Sequence, residues 1–150
     1  MKKLNKIVFI DDDIATNEYH RFIVKKADVA RDSLFFTTAE SALAYLSDTS
    51  TKYDFPDLIF IDINMPGMSG HEFINAIRSL ANFNKERTVL AYLATTMTND
   101  DVSNYASNGM KYYYFKTITA VGLCKIVKEI FNIEMVNKQI PVIDHRARRI

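Results

Sequence analysis

The stretch Asp57-Leu58-Ile59-Phe60-Ile61-Asp62-Ile63-Asn64-Met65-Pro66-Gly67-Met68-Ser69-Gly70 decides the fold of this 150-residue chain. Leu58 to Ile61 is an uninterrupted apolar run, as expected of a strand covered on both faces. It ends in a lone carboxylate, Asp62. A turn follows at once, punctuated by Pro66, Gly67 and Gly70. Ser69 stands where a helix N-cap belongs, with Glu72 three residues on, and the pair predicts a helix to about Leu80.

The same grammar recurs on both sides. Lys6 to Ile10 reads as a buried strand running into Asp11-Asp12-Asp13, and a helix follows from Ile14 to Lys26 with Ile14, Tyr19, Phe22 and Ile23 as its inward positions. Ser33 to Thr37 is a strand. Ala39 to Leu46 is a helix with Ala39, Ala42, Leu43 and Leu46 on one face, and Asp48 to Lys52 is a polar loop. Val89 to Ala94 is a strand, and Asp100 to Ser107 is a short helix stopped by Asn108-Gly109. Tyr112 to Phe115 is the fifth strand. Thr119 to Phe131 is the last helix, carrying Leu123, Ile126, Val127 and Ile130 at helical spacing. Five βα repeats imply an α/β doubly wound parallel sheet with helices on both faces. Right-handed crossovers favour the flavodoxin-like strand order 2-1-3-4-5.

Composition agrees. Hydrophobic residues at 48% and charged residues at 25% are ordinary for a globular domain. A chain of this length buries roughly two thirds of its unfolded surface and needs no disulfide staple. The single cysteine, Cys124, can form no internal disulfide, reads as inert core, and suits a reducing, cytoplasmic setting. A net charge of +1 gives no footprint for nucleic acid over the whole domain. No segment approaches the about 18 apolar residues of a membrane span, and the basic Met1-Lys2-Lys3-Leu4 start is not read as a signal peptide. Residues 1–133 are expected to form the domain. Residues 134–150, with Pro141 and the basic Arg146-Ala147-Arg148-Arg149, are expected to be a mobile tail, docking at most by Ile140, Val142 and Ile143, with no output domain attached.

Sites in open parallel sheets form beyond the carboxyl ends of the strands. There the sequence delivers Asp11, Asp12 and Asp13, then Asp62, then Ala94-Thr95-Thr96, then Lys116. Clustered carboxylates repel unless a cation intervenes. Magnesium takes one or two carboxylates and keeps several waters. Asp12 and Asp62 suit direct ligation, the Asn64 backbone carbonyl suits a third position, and Asp11 suits holding a metal-bound water. One helix needs one cap, and Asp13 before Ile14 is the expected N-cap.

Ile10-Asp11-Asp12-Asp13, the block Ile61-Asp62-Ile63-Asn64-Met65-Pro66-Gly67-Met68-Ser69-Gly70, and Gly109 seven residues before Lys116 closely resemble the receiver domain of two-component response regulators over about residues 4 to 132. The resemblance implies that Asp62 is the phosphoacceptor. The donor would be a phosphohistidine on a sensor histidine kinase or histidine phosphotransfer protein, with a downstream protein target as the output partner. It implies that Asp11 and Asp12 form the Mg2+ acid pair with Asn64, that Lys116 pairs with the phosphoryl group, and that Tyr113 is the switch aromatic. Such a protein is a signalling phosphoacceptor and not an enzyme.

Two positions depart from the family pattern. Counting back from Lys116, the switch hydroxyl position falls on Ala94, and only a one-residue slip lets Thr95 supply it. Thr117 follows the lysine where the family has proline. A cis bond before threonine costs about 3–4 kcal/mol, so either a trans bond with a reshaped loop or a cis bond is expected. Two other readings compete. A haloacid-dehalogenase-type phosphatase would use Asp11-x-Asp13, but it wants Thr or Val where this chain has Ala15, and it leaves the Asp62 block unexplained. A phosphorylation-independent interaction module draws on Ala94 and Thr117.

Overall fold

The computed structural model describes residues 3–48, 55–136 and 147–149. Its elements are β1 (Leu4–Ile10), α1 (Ile14–Ala27), β2 (Ala30–Phe36), α2 (Ala39–Ser47), β3 (Leu58–Asp62), α3 (Gly70–Arg78), β4 (Val89–Ala94), α4 (Asn99–Ser107), β5 (Tyr112–Phe115), α5 (Ala120–Val136) and β6 (Ala147–Arg149). The sheet order is β2-β1-β3-β4-β5-β6. The first five strands are parallel in the expected order, and β6 adds antiparallel to β5. This is a flavodoxin-like fold with one extra strand. The expected boundary at residue 133 falls inside α5, and residues 147–149 of the expected tail lie in the sheet. Ile140, Val142, Ile143 and Arg146 lie outside the described residues.

The sheet separates two apolar cores. On one face Ile23 and Val24 of α1 and Leu123, Ile126, Val127 and Ile130 of α5 pack on Phe9, Phe60, Leu93 and Tyr114. On the other, Ala39, Ala42 and Leu46 of α2, Phe73, Ile74 and Ile77 of α3, and Tyr105 of α4 pack on Ile10, Ile61, Tyr92 and Tyr113. All five residues of β3 are buried, which accounts for its unbroken apolar character. Among the described residues no helix is long and apolar enough to cross a membrane. Cys124 is half-buried, at the margin of the α1–α5 core.

The expected inner face of α1 is corrected. Ile14 is 70% exposed, Phe22 60% and Tyr19 36%; the buried positions are Asn17, His20, Ile23 and Val24. Polar side chains take the inner face because the backbone and an aromatic ring receive them there. Asn17 Nδ2 donates to the carbonyls of Asp11 (2.9 Å) and Phe36 (3.0 Å), and His20 stacks on Phe9 with centroids 4.3 Å apart. β2 also starts earlier than Ser33, because Ala30 and Asp32 pair with Leu4 and Lys6.

Candidate functional site

Local sequence fixes the turns that carry the acids. Asp13 is the N-cap of α1, its side chain accepting from Ala15 N at 3.0 Å. Asp13 N in turn donates to Asp11 Oδ1 at 3.0 Å, so the cap also orients its neighbour. After β3, Asn64 N donates to Asp62 Oδ1 at 3.1 Å. Ser69 and Glu72 form the expected capping box of α3. Gly70 lies so close to β3 that a Cβ there would sit 2.9 Å from the Asp62 carbonyl oxygen, so glycine alone lets α3 start against the strand that ends in the acid. Gly67 takes a left-handed φ of 74°, and Met68 N donates to Glu40 Oε2 at 3.3 Å, tying this loop to α2.

Adjacent parallel strands then bring the carboxylates together. β1 and β3 pair as Ile10↔Ile61, so Asp11 and Asp62 leave the sheet side by side. One carboxylate oxygen from each of Asp11, Asp12 and Asp62 lies within 4.8 Å of the others. Asp11 is fully buried, Asp62 is 6% exposed and Asp12 faces solvent. Lys116 Nζ lies 2.7 Å from Asp11 Oδ2 and 3.0 Å from Asp62 Oδ2. Lys116 N donates to the Ala94 carbonyl at 2.9 Å, which anchors the lysine to the end of β4.

The electrostatics follow from this geometry. Burial pushes the Asp62 carboxyl above the usual carboxylate range and the Asp11 charge adds to the push, while the Lys116 hydrogen bond opposes both. Burial works against the Lys116 charge, but its hydrogen bonds to Asp11 and Asp62 hold the proton, and its pKa is raised. Three carboxyl groups and one ammonium share one sheet edge. A hard divalent cation with oxygen preference suits that donor set, with the exposed Asp12 open toward solvent.

Asp11, Asp12, Asp62 and Lys116 are therefore brought together as the sequence implies, and Asn64 adjoins them through its amide. Thr95 is not drawn in. β4 ends at Ala94, which is 1% exposed and in register with Phe115; Thr95 and Thr96 are exposed beyond it. Tyr113 is buried, with its ring 6.3 Å from that of Tyr105 and 6.1 Å from that of Phe115. The Lys116–Thr117 bond is cis.

Sequence reasoning missed a polar cluster behind this rim. Tyr92 Oη lies 2.9 Å and Asn108 Nδ2 3.2 Å from His71 Nδ1. Burial pushes the Tyr92 hydroxyl above its ordinary value and the Tyr105 hydroxyl up to about 12. The available signal was a tyrosine, Tyr92, inside an otherwise apolar strand, since a buried Tyr hydroxyl usually finds a partner.

The family model "Response regulator receiver domain" matches residues 7–128, and the chain belongs to that family. Among solved structures it is similar to a two-component response regulator from Cytophaga hutchinsonii, at 26% identity and TM-score 0.76, covering 87% of this chain and 99% of the other. Two more distant structures share the fold. The chemotaxis protein CheY4 of Vibrio cholerae is 21% identical, with TM-score 0.70 over 85% of this chain and 99% of the other. The receiver domain of the histidine kinase CKI1 from Arabidopsis thaliana, complexed with Mg2+, is 19% identical, with TM-score 0.71 over 84% and 91%. A search of curated proteins finds no match.

Proposed function

We propose that this receiver domain takes a phosphoryl group onto Asp62 from a phosphohistidine of a sensor histidine kinase or histidine phosphotransfer protein, and passes the signal on through a changed protein–protein contact. The observation that carries the proposal is the pair of short contacts from Lys116 Nζ, 3.0 Å to Asp62 Oδ2 and 2.7 Å to Asp11 Oδ2. Phosphoryl transfer depends on in-line positioning and on offsetting charge. An Asp62 carboxylate oxygen attacks phosphorus. The P–N bond to the donor imidazole breaks, its electron pair stays on the imidazole, and an acyl phosphate remains on Asp62. Lys116 then exchanges part of its contact with Asp62 for a phosphoryl oxygen while Asp11 holds its ammonium.

Asp12 and Asp62, with the Asn64 backbone carbonyl, would bind Mg2+ directly, and Asp11 would hold a metal-bound water. The bound ion would offset charge on the phosphoryl oxygens. The receiver domain would act in the cytoplasm as a phosphoacceptor and not as an enzyme, with a downstream protein as the target rather than nucleic acid or membrane. Asp13 caps α1, a role that counts against its use as the second acid of the phosphatase reading. Ala94 at the end of β4 favours one alternative, a module that binds its partner without phosphorylation.

Mass spectrometry after incubation with Mg2+ and acetyl phosphate tests the reading. One phosphoryl group should appear on the wild type and none on Asp62→Asn. Equal gain in the two proteins removes Asp62 from the role, and no gain in either selects the phosphorylation-independent module.

A further inference from the structure

We propose that the outer edge of β5 is a strand-docking surface and that its occupant is the chain's own segment 147–149, which holds the backbone of Tyr113. An edge strand presents a row of N–H and C=O groups that will pair with any extended segment. In the five-stranded parallel sheet β5 is such an edge, and in this molecule β6 covers it. The register is antiparallel: Tyr112↔Arg149, Tyr113↔Arg148 and Tyr114↔Ala147.

Strand geometry says which backbone groups β6 holds. Lys116 N donates inward to Ala94 of β4. Backbone groups along a strand alternate in direction from one residue to the next, so Tyr114 and Tyr112 also face β4, while Tyr113 faces outward. Opposed residues of an antiparallel pair alternate between exchanging two hydrogen bonds and exchanging none. Tyr113↔Arg148 is therefore the pair that exchanges them. The occupied position lies three residues before Lys116, the lysine that holds Asp11 and Asp62.

A ladder of three residue pairs contains few hydrogen bonds, set against the entropy of ordering the segment. The occupant is thus readily exchanged, and while it is seated no other extended segment can add to this edge. The proposal stands apart from the chemistry of Asp62, so the two can fail separately.

Residue-resolved amide hydrogen exchange tests it on three preparations: the wild type, a deletion of residues 147–150, and full-length Arg148→Pro. The Tyr113 amide should exchange about tenfold faster or more in both variants, while the Tyr114 amide and those of Ile59 and Ile61 in β3 keep their rates. An unchanged Tyr113 rate in the deletion overturns the proposal. Equal acceleration at Tyr113, Tyr114 and β3 also overturns it, because residues 147–149 would then support the whole sheet rather than occupy one edge.

Discussion

The rim at the carboxyl ends of the strands has two unlike halves. The β1–β3 half is charged: Asp11, Asp12 and Asp62 converge within 4.8 Å, and Lys116 reaches across to two of them. The β4–β5 half is packed: Ala94 closes β4 without a hydroxyl, Tyr113 is buried beside Tyr105, and Tyr92, His71 and Asn108 are hydrogen-bonded behind them. The charged half keeps the donor set that the family implies. The packed half differs in kind, with the small side chain of Ala94 in one buried cluster with Tyr92, Tyr105 and Tyr113.

The largest test of that contrast removes the link between the halves. Lys116→Ala leaves the fully buried Asp11 carboxylate beside Asp62 with no cation. Breaking a buried pair in this way costs about 3–5 kcal/mol at neutral pH, read by urea unfolding, and the loss should shrink at acid pH as the carboxyls take up protons. A cost below about 1 kcal/mol, the range of exposed pairs, would mean that the charged half does not depend on its lysine.

A second test probes the floor of the charged half. His20 is 2% exposed, and burial depresses its pKa from 6.5 to about 4, with Asp11 opposing and Lys116 reinforcing the shift. The folded state therefore binds fewer protons than the unfolded state between those values. The stabilisation is full above about pH 6.5 and is lost as pH falls toward 4, by up to about 3 kcal/mol. The raised pKa of Asp62 works the other way over the acid range, so the comparison must be with His20→Phe, whose unfolding should lack this component. Parallel pH profiles for the two proteins would remove His20 from the account.

The smallest effect belongs to the packed half. Ala94→Thr places a hydroxyl and a methyl group where Ala94 is 1% exposed, facing the same core as Tyr113. Overpacking of this kind costs about 1–3 kcal/mol, and the Tyr113 ring should move outward to relieve it, visible as a changed ring environment by NMR. An unmoved Tyr113 with no loss of stability would show that Ala94 does not set the aromatic's position.

What could be read early follows the same division. The acids were legible because each directly follows a short apolar strand, and a parallel sheet turns that local fact into a shared edge. Lys116 was legible through its place after the fifth strand and its spacing from Gly109. Thr95 was less legible, because a one-residue shift at a strand end reverses which face a side chain meets; β4 ends at Ala94, in register with Phe115, and Thr95 is exposed beyond it. The inner face of α1 was misjudged because hydrophobicity was taken as the guide to burial. Asn17 and His20 are buried through hydrogen bonds and stacking on residues distant in sequence.

By itself the sequence determined the βα alternation, the strand order, the caps at Asp13 and Ser69, and the identity of the charged residues. These depend on periodicity, turn chemistry and the short range of strand-to-helix connections. Only the tertiary structure decided that Lys116 bridges Asp11 and Asp62, that Ala94 ends β4 over a buried Tyr113, and that residues 147–149 pair with β5. Each of these joins groups far apart along the chain, and distances between such groups are set by packing and register, which no local pattern encodes.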